Sequence, residues 1–170
     1  MQGRRVSESE VVMTHRALPE DANPAGYVHG GVILKQLDLA GAVVAMRHCR
    51  TAVVTASIDR MEFRAPVNVG ELLMLKASVN LVSGTSLEVG VRVEAENLLT
   101  GEVRHTASAY LTFVSMDAER RPAPVPDLIL ETPAQKRRNQ EARLRRELRR
   151  EERKREREAQ REAEGRQTTS

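Results

Sequence analysis

The chain has almost no aromatic side chains: its 170 residues include two Phe, two Tyr and no Trp. Proteins that hold single-stranded nucleic acid stack bases on aromatic rings, so this scarcity argues against that class. It also means that Val, Leu, Ala, Met and Ile must build the core. There is one cysteine, Cys49, which rules out an internal disulfide and fits a reducing compartment. No stretch approaches the roughly 18–20 apolar residues needed to span a bilayer. The opening MQGRRVSESEVV carries no apolar run of signal-peptide length. A cytoplasmic protein is expected. The four histidines and one cysteine show no metal-type spacing, so no metal is expected. Neither a Gly-x-Ser-x-Gly elbow nor a phosphate-binding Gly-Lys-Ser/Thr occurs.

Apolar residues make up 40% of the chain, enough for one domain of ordinary size plus an appendage. The net charge of +3 hides an asymmetry. Residues 134–170 hold 14 Lys+Arg and 8 Asp+Glu, which leaves 13 basic and 16 acidic groups for residues 1–133. Domains at 1–133 and 134–170 follow from that break. The tail has high helix propensity, no apolar heptad and both signs of charge, as in a solvated or partly disordered helix. No nucleic-acid partner and no membrane are therefore expected.

Residues 6–17 alternate loosely and read as a first strand. A Pro- and Gly-rich loop follows, then GVILKQLDLAGAVVAMRHC. Its apolar residues recur at helical spacing, and its other side is also largely apolar, which reads as a buried helix. Strands are expected at 52–66, 71–83, 85–97 and 103–116, the last three joined by short turns into an antiparallel meander. One early helix and a run of antiparallel strands make an α+β layer. With no second sheet to cover the helix, subunits should pair. Pro122, Pro124, Pro126 and Pro133 mark an extended segment between sheet and tail.

Chemistry concentrates between Asn23 and Asp38. A carboxylate on an apolar helix is costly to bury, and burial would raise its pKa and suit Asp38 to general-base work; the alternative is a surface or capping Asp. Gly30 and Gly31 leave backbone N–H groups at the positive end of a helix, where an oxyanion can develop; the alternative is a tight turn. His29 is either a ligand or base, or a loop histidine bonded to a backbone group. His48 and Cys49 are adjacent on a helix and point in different directions, which disfavours a Cys–His nucleophile.

The series Asn23-x-x-Gly26-x-Val28-His29-Gly30-Gly31, Asp38 with Ala40-Gly41, Arg47-His48, Val54-Thr55-Ala56-Ser57-Ile58-Asp59, Phe63-x-x-Pro66-Val67 and Gly84-Thr85-Ser86 resembles the hotdog-fold acyl-CoA thioester hydrolases. Phe113-Val114-Ser115 and Pro124-Val125-Pro126 continue it, so that it covers about residues 8–133. The resemblance implies a single hotdog domain, an antiparallel sheet wrapped around one long apolar helix. It implies fatty acyl-CoA hydrolysis without a cofactor, in a homo-oligomer that is a dimer or a trimer of dimers. Asn23 of one subunit would act with Asp38 of the other, and the backbone at Gly31 would meet the thioester oxygen. His29, Gly30, Thr55, Ala56, Ser57, Arg64, Thr85 and Ser86 would bind the substrate. The alternatives are a non-catalytic acyl-CoA-binding protein on the same fold, a hotdog dehydratase using His29, and a nucleic-acid- or ribosome-associated protein resting only on the basic tail, whose mixed signs read more like a solvated helix than a phosphate-binding arm.

Overall fold

Period-two alternation and helical spacing resolve into the following elements, in a computed structural model that describes residues 2–167. The first unit, Met1–Glu131, contains β1 (Arg4–Arg5), β2 (Val11–Arg16), α1 (Gly30–Cys49), β3 (Ala52–Phe63), β4 (Leu72–Ser83), β5 (Ser86–Glu96), β6 (Val103–Met116) and β7 (Leu128–Ile129). The five long strands form one antiparallel sheet in the order β2-β4-β5-β6-β3, and β1 pairs with β7 in parallel. β4, β5 and β6 are the expected meander, because Gly84 and Gly101 supply the positive φ their turns need. This is the α+β hotdog arrangement implied above.

The expected first strand is shorter than 6–17. Val6–Glu8 instead forms a single 3-10 turn, in which Glu8 Oε2 accepts the Arg5 N–H and Ser9 Oγ donates to Val6 O. These local side-chain bonds offer the backbone an alternative to the ladder.

α1 lies along one face of the sheet and buries Ile33, Leu37, Ala40, Gly41, Val44, Ala45, His48 and Cys49. Gly41 permits the approach: a Cβ there would sit 2.9 Å from the ring of fully buried Phe113 on β6. The helix is not covered all round, however. Leu39, Val43 and Met46 on its other side are exposed, as are Val54 and Ile58 on the edge strand β3. An apolar patch beside an unpaired strand edge is what a single chain presents when its partner is a second protein surface. Among the described residues no helix is long and apolar enough to cross a membrane.

The second unit, Thr132–Ser170, is dominated by α2 (Pro133–Gln167). Thr132 and Gln135 cap its start reciprocally: each side chain accepts the other's backbone N–H, at 3.1 and 3.2 Å.

Candidate functional site

Two clusters of the expected residues form, both on α1. The first surrounds the helix start. Asn23 sits in a tight turn, where its Oδ1 accepts the N–H groups of Ala25 (2.9 Å) and Tyr27 (3.2 Å). That leaves its Nδ2 as the donor a ligand can use. Gly26, at φ +84°, makes the turn possible. Asn23, Tyr27, Val28, Gly30, Ile33, Phe63, Arg64 and Pro66 line an open cleft of about 360 Å³. Phe63 lies over the helix start, where a Cβ on Gly30 would stand 3.2 Å from its ring. Arg64 is on the rim and pairs with Glu62 at 3.2 Å.

His29 is the N-cap of α1. Its Nδ1 accepts the Gly31 N–H at 3.1 Å, so the donor expected to meet an oxyanion is already held by a side chain. Of the two readings left open for His29, the geometry here is the histidine bonded to backbone. A ligand at Gly31 has to displace that ring or use the neighbouring helix-start N–H groups.

The second cluster joins α1 to the edge strand. Half-buried Asp38 accepts a hydrogen bond from Thr55 Oγ1 at 2.7 Å. A register shift between Thr55 and Ser57 puts Ala56 out of the ladder beside them. Ser57 Oγ donates to Asp59 rather than to Asp38. Asp38 is therefore neither fully buried nor a loose surface acid. Gly31 and Asp38 lie on one side of the helix but two turns apart, about 10 Å along its axis. Within one chain the cleft and the carboxylate are separate.

Thr85 and Ser86 join neither cluster. They sit in the β4–β5 hairpin, where Ser86 Oγ donates to Ser83 O and Thr85 O accepts the Ser115 N–H. The Cys–His alternative has no geometric support. Cys49 is buried, which pushes its thiol pKa up, and His48 Nε2 faces Pro126 O at 3.0 Å. Burial pulls the His48 pKa down, so this ring is a neutral tie to the extended segment. Among the described residues no three His, Cys, Asp or Glu side chains gather as a metal site requires.

One supporting pair escaped the sequence reading. Buried Glu71 accepts two hydrogen bonds from Arg104, at 2.6 and 2.7 Å, and two from Asn68. Arg104 also donates to Pro66 O, so the pair braces the wall of the Asn23 cleft.

The Thioesterase superfamily model matches residues 25–102. A Bacillus subtilis protein, an uncharacterized acyl-CoA thioester hydrolase, is 39% identical over 129 residues, covering 76% of this chain and 75% of its own. The cytosolic acyl coenzyme A thioester hydrolase of Rattus norvegicus is 36% identical over 140 residues, covering 81% of this chain. The chain spans only 37% of that rat protein's length. Among solved structures, an apo-hexameric acyl-CoA thioesterase superposes with a TM-score of 0.87 at 39% identity, over 89% of this chain and 97% of that one.

Proposed function

Because the chain belongs to the acyl-CoA thioester hydrolases of the thioesterase superfamily, we propose that it hydrolyses fatty acyl-CoA to a free fatty acid and coenzyme A. The observation that carries this reading is the Asp38–Thr55 pair, a half-buried carboxylate held at 2.7 Å on an apolar helix beside the edge strand β3. In this mechanism Asp38 takes a proton from water as its oxygen attacks the thioester carbonyl carbon. Thr55 fixes the carboxylate, so the base does not have to be ordered at the moment of reaction. Helix-start N–H groups stabilise the oxyanion, Gly31 among them once His29 yields. The carbon–sulfur bond then breaks, and the coenzyme A thiolate receives the proton. No cofactor takes part.

Two turns of helix separate Asp38 from the glycines of its own chain, so the site is shared between paired chains. Asn23 and the helix start of one subunit face Asp38 of the other, through the exposed patch of Leu39, Val43, Met46, Val54 and Ile58. A homo-oligomer, a dimer or a trimer of dimers, follows, in line with the hexameric relative. Gly30, Ala56, Ser57 and Arg64 border the acyl-CoA, and Thr85 and Ser86 reach it only from another copy. Residues 1–133 carry the activity and residues 134–170 are an appendage. Like the cytosolic rat relative, the protein acts in the cytoplasm.

Complementation tests the shared site. Asn23→Ala and Asp38→Ala should each be inactive alone. Co-expressed, they restore one intact site in every mixed pair, or about a quarter of wild-type turnover under random pairing through an isologous interface. No recovery, with mixed oligomers present, would place both residues in a site within one chain.

A further inference from the structure

We propose that α2 carries a binding surface for the phosphate backbone of duplex nucleic acid, read without regard to sequence. Along the chain its charges alternate in sign, the pattern of a solvated helix. The helix sorts them. Each residue advances the helix by about 100°. Arg143, Arg146, Arg150, Arg153, Lys154, Arg157 and Arg161 then fall within one arc of about 100°, and every residue of 143–161 in that arc is one of these seven. Glu147, Glu151, Glu152, Glu156 and Glu158 all lie outside it. The seven cations are exposed. Arg150, Arg153, Lys154, Arg157 and Arg161, with Glu158, flank a groove of about 440 Å³ on the helix surface. Glu158 lines it too and pairs with Lys154 at 3.8 Å.

The partner's chemistry follows from what the stripe has and lacks. It runs for about 27 Å, too long for one small anion to engage. Six of its seven cations are arginines, whose planar fork matches phosphate oxygens in pairs. Residues 149–161 hold no apolar side chain larger than Ala159. A helix that lies on a lipid surface needs an apolar face to bury, and along 143–161 only Leu144 and Leu148, both at one end, are large and apolar. A linear polyanion in water remains. Duplex nucleic acid presents one phosphate for every ~1.7 Å of its axis.

The test uses the full-length protein and a short, labelled, mixed-sequence DNA duplex, followed by fluorescence anisotropy. Wild type should bind at low salt and lose about 10³-fold in affinity between roughly 50 and 200 mM salt. Two double variants remove equal charge. R153Q/R157Q lies on the stripe, and R137Q/R155Q lies off it. Glutamine keeps helix propensity close to that of arginine, and circular dichroism checks the helix in both. The stripe pair should weaken binding at least tenfold and lower the log–log salt slope by about 2, while the off-stripe pair leaves both unchanged. Equal weakening by the two pairs would overturn the proposal, since net charge alone would then explain binding. So would absence of duplex binding at low salt, or preference for anionic phospholipid vesicles over the duplex.

Discussion

Replacing Asp38 with Asn should lower turnover on acyl-CoA by about a thousandfold and leave KM little changed, as expected for loss of a general base. The amide keeps the shape of the carboxylate, and its oxygen can still accept the Thr55 hydroxyl, which in the wild type donates at 2.7 Å. What disappears is the ability to take a proton from water. Packing should not change, because Asp38 is half-buried and makes its one strong contact to Thr55. Steady-state thiol release on both proteins, with oligomer size checked, separates the cases. A variant with near-normal turnover would remove Asp38 from the chemistry.

The second large effect is on stability. Arg104→Met should cost roughly 2–3 kcal/mol near neutral pH, below the full range for breaking a buried pair because Arg104 is partly exposed. The Glu71 side chain is 6% exposed and that of Arg104 27%. With Arg104 gone, Glu71 keeps only Asn68 and stays buried as an under-compensated carboxylate. The bonds from Arg104 hold the Glu71 pKa at about 2, against 4.5 for an ordinary glutamate. A carboxylate whose pKa is depressed on folding stabilises the fold fully above its unfolded value and loses that contribution as pH falls through the folded one. The wild-type advantage should therefore be complete above pH 4.5 and shrink as pH falls from there toward about 2. Urea midpoints of both proteins across that window measure it. A gap that stays constant with pH would show that the pair is not its source.

Most of the sheet was legible in the sequence because one face of each strand meets α1. Leu87, Val89, Val91 and Val93 alternate on β5, and all four are buried. The strand expected at 103–116 is β6, Val103–Met116. α1 was legible as an apolar helix with no second sheet to cover it, but which of its residues stay exposed was not. Apolar residues all round look the same in sequence whether a sheet or a second copy of the chain covers them. Of the site, the loop at Asn23 and the apolar helix carrying Asp38 were readable from residue type and spacing, whereas a joint role for the two residues came only from the family resemblance. The hydroxyl on Asp38 comes from Thr55, 17 residues away, and only the path of α1 into β3 brings it there. The Glu71–Arg104 pair spans 33 residues across three strands, and no local pattern signals it. The His29 ring was readable as a choice between ligand and cap, which its distance to the Gly31 N–H decides for this structure. The cationic stripe was hidden because sign alternation in sequence becomes separation only when wound at 3.6 residues per turn.

The most direct measurement is thiol release by the purified protein from a panel of acyl-CoAs of increasing chain length, with recovery of the free fatty acid. Catalytic release of coenzyme A and fatty acid in equal amounts from one or more of them is the expected result. No release from any member of the panel, with coenzyme A still bound by the protein, would contradict hydrolysis and leave a non-catalytic acyl-CoA-binding protein.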